Sequence, residues 1–168
     1  MGAGSPAPNT GGTNYQKGMV LKGVAGAPSQ GELPICGALS CQRVAQILGK
    51  NVPSLRMLST GTSATGLTPA QMVAALKRLG ITAQVGTGAT KQAIFTNMMN
   101  DVRAGKPVIA GINMTGTANG PLHAVVVEGL ATEGGVPGMN IYDPAGWYYW
   151  QPIKDLQTFF NGEYVVAL

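Results

Sequence analysis

Two side chains in this sequence have the chemistry for acyl transfer if the fold brings them together. They are a cysteine at the head of an apolar run and the chain's single histidine. Cys36 follows Pro34-Ile35 and precedes Gly37, at the expected start of a buried helix. Unpaired backbone N–H groups and the helix dipole stabilise a thiolate at such a place. Gly37 would let a substrate carbonyl approach the backbone closely. Gln30 lies shortly before the thiol. From there it could donate a side-chain N–H to a developing oxyanion, alongside the Cys36 backbone N–H.

His123 opens the stretch His-Ala-Val-Val-Val-Glu-Gly. It sits at a loop mouth, where a base can be both positioned and reached. Asp143, in Asn-Ile-Tyr-Asp-Pro, would close the next strand. Antiparallel neighbours bring the end of one strand beside the start of the other. A carboxylate there fixes the imidazole tautomer and supports the imidazolium. Cys36, His123 and Asp143 are therefore the candidate catalytic residues, with Gln30 and Cys36 as the candidate oxyanion hole. Each residue also has a plainer use: a buried cysteine packs a core, a lone histidine can be structural, and Asp-Pro starts turns.

Cys41 reads differently. It lies within the apolar run, without a neighbouring glycine or a helix start, and is assigned to packing. On one helix Cys36 and Cys41 would be ~7.5 Å apart along the axis, beyond the reach of a disulfide. Two cysteines and one histidine do not make a four-ligand zinc site, and no glycine-rich loop ends in Gly-Lys-Ser/Thr. No metal or cofactor is expected.

The elements that must position these residues read as helices first and strands later. Cys36 to Leu48 suits a mostly buried helix with Gly49 as its stop. Thr68-Pro69-Ala70-Gln71 is a capping box with proline at the first helical position, and the helix it opens ends near Leu79 and Gly80. A third helix starts near Thr90 and closes at Gly105. Short β-branched runs follow at Pro107–Asn113, His123–Leu130, Asn140–Asp143 and Tyr164–Leu168, with a short helix near Ile153–Phe160. This order predicts an α+β fold, N-terminal helices packed on a C-terminal antiparallel sheet. Trp147-Tyr148-Tyr149-Trp150 serves either as an apolar lid on that sheet or as a substrate or partner contact.

Composition narrows the function classes. A chain of 168 residues that is 45% hydrophobic and 11% charged is expected to form one packed domain. Its net charge of +4 comes from scattered residues with no run of three Lys or Arg, so a nucleic-acid surface is not expected. Residues 1–20, rich in Gly and Pro, read as a flexible leader or linker, and residues 21–168 as the domain. The start lacks the charged and apolar parts of a signal peptide, and no run approaches the ~20 apolar residues of a membrane span.

Taken in order, Gln30, Cys36-Gly37, His123-Ala-Val-Val-Val-Glu-Gly and Asp143-Pro resemble the papain-like bacteriocin-processing peptidases, a family that cleaves leaders after a double glycine. Gly66-Leu67, Gly105-Lys-Pro107-Val-Ile and the closing Gly162-Glu-Tyr-Val-Val resemble its later blocks. The resemblance covers Gln30 to Leu168. It implies a papain-like fold, a Cys-His-Asp triad completed by the glutamine, and a protein or peptide substrate. The Pro-Ile before the thiol departs from the acidic residue often found there. Because transporter parts do not accompany these motifs, the chain also resembles the toxin domains of secreted bacterial effectors. That implies action in a rival's cytoplasm and a proteinaceous inhibitor, an immunity protein, in the producer. A stand-alone cytoplasmic leader peptidase, or a deamidase or acyltransferase using the same thioester chemistry, are the alternatives.

Overall fold

The computed structural model describes residues 36–50, 67–113, 122–144 and 147–168, apart from the side chains of Cys36, Asn113, Leu122 and residues 147–149. The described helices are α1 (Cys36–Ile47), α2 (Pro69–Arg78), α3 (Lys91–Arg103) and α4 (Ile153–Phe159). The strands are β1 (Ala83–Val85), β2 (Val108–Asn113), β3 (Leu122–Glu133), β4 (Val136–Asp143), β5 (Trp147–Pro152) and β6 (Phe160–Ala167). They form one six-stranded sheet in the order β1-β6-β2-β3-β4-β5, with every pairing antiparallel. The α+β reading and the antiparallel sheet hold. Gln30, the leader at 1–20 and the loop at 115–121 lie outside the described residues.

The sheet is covered by helices on both faces. Side chains alternate along a strand, so successive residues of β2 and β3 serve opposite layers. Ile109, Ala124 and Val126 pack with Ala38, Cys41, Val44 and Ala45 of α1 and with Met72, Ala75 and Leu76 of α2. Val108, Ala110, Ile112, Val125 and Val127 pack with Phe95, Met98, Met99 and Val102 of α3 and with Leu156 of α4. This explains the unbroken run Ala124–Val127. A strand facing solvent on one side alternates apolar with polar, and one buried on both sides does not.

Local signals set the helix ends. The Thr68 side chain accepts from the Gln71 N–H at 3.2 Å, and the Gln71 side chain accepts from the Thr68 N–H at 2.8 Å. The two bonds satisfy amides that the first turn of α2 leaves without helical partners. Gly80 and Gly105 take the positive φ values (+78° and +81°) that end α2 and α3.

Two strands escaped the sequence reading, and others were drawn too short. β1 is a three-residue edge segment, Ala83–Val85, too brief to show a period. β5 is the aromatic cluster itself. The Trp150 indole donates to the Ala131 carbonyl at 2.8 Å and lies over Gly138, where a Cβ would come within 2.3 Å of the ring. Trp150 is thus an apolar lid fixed by one hydrogen bond.

Thr68→Ala removes one half of the capping box and should lower stability by ~1 kcal/mol, read as a shift in the urea midpoint with an unchanged slope. Thr68→Ser should keep the wild-type midpoint. An equal loss in both variants would contradict the cap.

Candidate active site

His123 is the second residue of β3, and Asp143 is the last of β4. The strands are paired by Val126↔Tyr142 and Val127↔Ile141, so the start of one lies beside the end of the other. Pro144, which has no N–H for a ladder bond, follows the carboxylate. His123 Nε2 and Asp143 Oδ1 are 2.6 Å apart, and both side chains are fully buried. An ionised carboxylate can only accept, so in that state Nε2 carries the proton and donates it. The short distance is that of a charge-assisted bond, strengthened where water is excluded. Such a bond orients the ring and sets its tautomer.

His123 pairs with Ile112, and paired residues point to the same side of a sheet. Ile112 packs in the α3 layer, so the imidazole's row lies on that face. Asp143 follows Tyr142, which packs in the α1 layer, and alternation returns the carboxylate to the imidazole's side. α1 lies over the opposite face. A group at the head of α1 can therefore meet the imidazole only around the end of the sheet.

Cys36 is the first residue of α1, so its backbone N–H belongs to the first turn that helical bonding leaves unpaired. That turn carries no acidic residue to oppose a thiolate. The Cys36 side chain and Gln30 fall outside the described residues. Gly37 has a packing purpose in this fold. It is buried, and a Cβ there would stand 2.9 Å from Leu67 Cβ and 3.4 Å from Met72 Sδ. The missing side chain lets α1 close onto the chain entering α2.

Cys41 is fully buried, and its Sγ is 3.9 Å from the Met72 carbonyl. Burial pushes this thiol up to about 12 from 9.0, with Arg78 pulling slightly the other way. The folded pKa is raised, so the thiol's contribution to stability is complete below pH 9.0 and is lost as pH rises towards about 12. Packing is its role.

The sequence reading gave no part to three residues beside the site. Arg43 on α1 meets Glu128 on β3 through two bonds, Nε–Oε2 at 2.7 Å and Nη2–Oε1 at 2.8 Å. The same guanidinium stands 5.6 Å from the ring centre of Tyr142, the neighbour of Asp143. The available signal was a single charge in an otherwise uncharged helix and a carboxylate following three valines.

Comparison with known proteins adds the fold's kinship. No protein-family model matches the chain, and no curated protein does. Solved structures do. A double-glycine-motif protease from an AMS/PCAT transporter, in complex with the leader peptide, is 20% identical, with a TM-score of 0.62 over 97% of this chain and 98% of that one. The peptidase domain of Streptococcus ComA, a bifunctional ABC transporter involved in a quorum-sensing pathway, is 22% identical, with a TM-score of 0.59 over 80% and 91%. The N-terminal peptidase C39-like domain of a toxin secretion ATP-binding protein from Vibrio parahaemolyticus is 17% identical, with a TM-score of 0.52 over 80% and 95%. The chain has the fold of these peptidase domains. At such identities the likeness is one of architecture, and the papain-like α+β expectation is met at that level.

Limiting iodoacetamide at pH 6, followed by peptide mapping, should label Cys36 in the folded protein and leave Cys41 unmodified until the chain is denatured. Labelling of Cys41 first in native protein would contradict both assignments.

Proposed function

We propose that the chain is a papain-like cysteine peptidase with Cys36 as nucleophile, His123 as acid and base, Asp143 as the orienting carboxylate and Gln30 in the oxyanion hole. The observation that carries this reading is the buried His123–Asp143 bond, held at one end of a sheet whose architecture is that of C39 peptidase domains. With Nε2 committed to Asp143, Nδ1 is the nitrogen that would take the Cys36 proton. The thiolate then attacks the scissile carbonyl carbon, a C–S bond forms, and the oxygen takes the negative charge. The Gln30 side chain and the Cys36 backbone N–H stabilise that oxygen. The imidazolium returns its proton to the leaving nitrogen as the C–N bond breaks, leaving a thioester. Water, deprotonated by the same ring, hydrolyses the thioester and releases the thiol. Asp143 stays ionised throughout and supports the imidazolium.

A peptide with Gly-Gly before the cut is the substrate class supported by the neighbour solved with its leader peptide. This favours a leader-peptidase setting. The second setting is a toxin domain of a secreted effector, acting in a rival's cytoplasm and restrained by an immunity protein. It rests on the Gly- and Pro-rich, linker-like composition of residues 1–20. No described helix is long and apolar enough to cross a membrane.

Purified protein should cleave a Gly-Gly-containing peptide, and Cys36→Ala should abolish cleavage. Gln30→Ala should lower turnover by ~10²–10³ with the fold intact. Asp143→Ala should cost less than Cys36→Ala, because an imperfectly oriented imidazole still acts as a base. Intact-mass spectrometry separates the chemistries: fragments mean hydrolysis, a gain of about one dalton means deamidation, and adducts mean acyl transfer. Expression in bacterial cytoplasm separates the settings. Growth arrest that Cys36→Ala relieves supports the toxin, and harmless expression of active enzyme supports the leader peptidase. An active Cys36→Ala protein would overturn the proposal.

A further inference from the structure

One guanidinium touches all three elements that carry the candidate triad. Arg43 belongs to α1, which begins at Cys36. Its fork holds Glu128 on β3, the strand of His123, with bonds of 2.7 and 2.8 Å. Its guanidinium carbon lies over the ring of Tyr142 on β4, beside Asp143, 5.6 Å from the ring centre. The pair sits at the edge of the core, with side-chain exposures of 30% for Arg43 and 11% for Glu128. We infer that Arg43 and Glu128 form a positioning clamp, which sets where α1 stops along β3 and so brings the Cys36 thiol to the His123 imidazole. This inference rests on the peptidase reading above.

The apolar contacts beneath α1 cannot do this alone. Ala38, Cys41, Val44 and Ala45 meet Ala124 and Val126, small or smooth side chains whose attraction is short-ranged and has no preferred direction. A helix on such a surface gains nearly as much after a small slide or roll. A bidentate guanidinium–carboxylate contact is directional, because two parallel N–H···O bonds form in one relative placement only. The Tyr142 ring beneath the guanidinium adds a cation–π contact that favours the same placement.

Placement matters here because α1 and the imidazole occupy opposite faces of the sheet. The thiol must arrive at the sheet's end, so the axial position of α1 decides whether the two groups meet. Cys36 lies two helical turns from Arg43, about 10 Å along the axis. A slip of one residue would move the thiol by about 1.5 Å and turn it by about 100°, outside the reach needed for proton transfer. The chain places its single α1 charge two turns behind the thiol, where it can act on position without entering the site. Arg43 and Glu128 are positioning residues, which act through the placement of α1.

The test compares Arg43→Met, Arg43→Lys, Glu128→Gln and the Arg43→Met/Glu128→Gln double variant with wild type. Each is checked for folding by near-ultraviolet circular dichroism. The readouts are kcat and KM on a Gly-Gly peptide and the pH dependence of iodoacetamide labelling at Cys36. The clamp predicts kcat lower by roughly 10–100-fold with KM within about twofold, since misplacement by an ångström costs about that much. Labelling of Cys36 at pH 6 should slow by at least about tenfold, because a thiol moved away from the imidazole loses the partner that lowers its pKa. Arg43→Lys should recover part of both, and the double variant should be no worse than the worse single one. If Arg43→Met does not fold, Arg43→Lys and the near-isosteric Glu128→Gln carry the same test. Folded single variants with wild-type kcat and wild-type labelling, or additive losses in the double variant, would overturn the clamp while leaving the peptidase reading standing. Wild-type protein whose Cys36 is unreactive at pH 6 would overturn both.

Discussion

A buried imidazole and a buried carboxylate are tolerated in this sheet only as a pair. Either group alone would lose its hydration with nothing in return, a cost of several kcal/mol for an ion. At 2.6 Å each supplies what the other lost. The rest of the structure follows from making that contact inside a core. Strands β3 and β4 must be adjacent, antiparallel and in one register, since a slip of one residue would send His123 or Asp143 to the other face. Both faces must also be covered to keep water away. The chain meets the second condition with two helical layers, α1 and α2 on one side and α3 and α4 on the other.

The covering layers differ in what they bring. The α3 layer is bulky, with Phe95, Met98 and Met99 against Phe160 and Tyr164. It encloses the side of the sheet where the imidazole's row lies. In the other layer α1 itself contributes small groups, Ala38, Cys41, Val44 and Ala45, and Gly37 gives up its Cβ so that α1 can settle beside Leu67. Close, smooth packing suits a helix that must deliver one residue to the end of a sheet. It also leaves that helix in need of a directional tie, which Arg43 and Glu128 supply at the rim. Cys41 shows the other use of sulfur in the same helix. Five residues after Cys36 it faces the core, and burial holds it in the thiol form.

Much of this was legible in the residues. The order of elements, the α2 capping box and the pairing of a strand headed by His123 with one ended by Asp143 all follow from local rules, because spacing and turn chemistry act within a few residues. Three features were not legible. β1 and the start of β4 have no apolar alternation of their own and become strands because neighbours offer them partners. The aromatic cluster is a strand whose Trp150 ring lies over Gly138, two residues away in the register of the neighbouring strand, a cross-strand fit that no single segment displays. Arg43 and Glu128 stand far apart in sequence, so each reads as an ordinary surface charge until the fold joins them. The packing need at Gly37 was not legible either, because its contact with Leu67 joins segments thirty residues apart.

The central claim is that the His123–Asp143 pair serves the thiol of Cys36. The chain has one histidine, so a ¹⁵N-labelled sample gives a single imidazole spin system and no assignment problem. The account predicts a downfield, exchange-protected proton on Nε2 that disappears in Asp143→Ala. It also predicts that alkylating Cys36 with iodoacetamide shifts the Nδ1 resonance, while Cys41→Ala leaves it in place. An imidazole spectrum unmoved by alkylation of Cys36 would show that thiol and base do not meet, and would contradict the account at its centre.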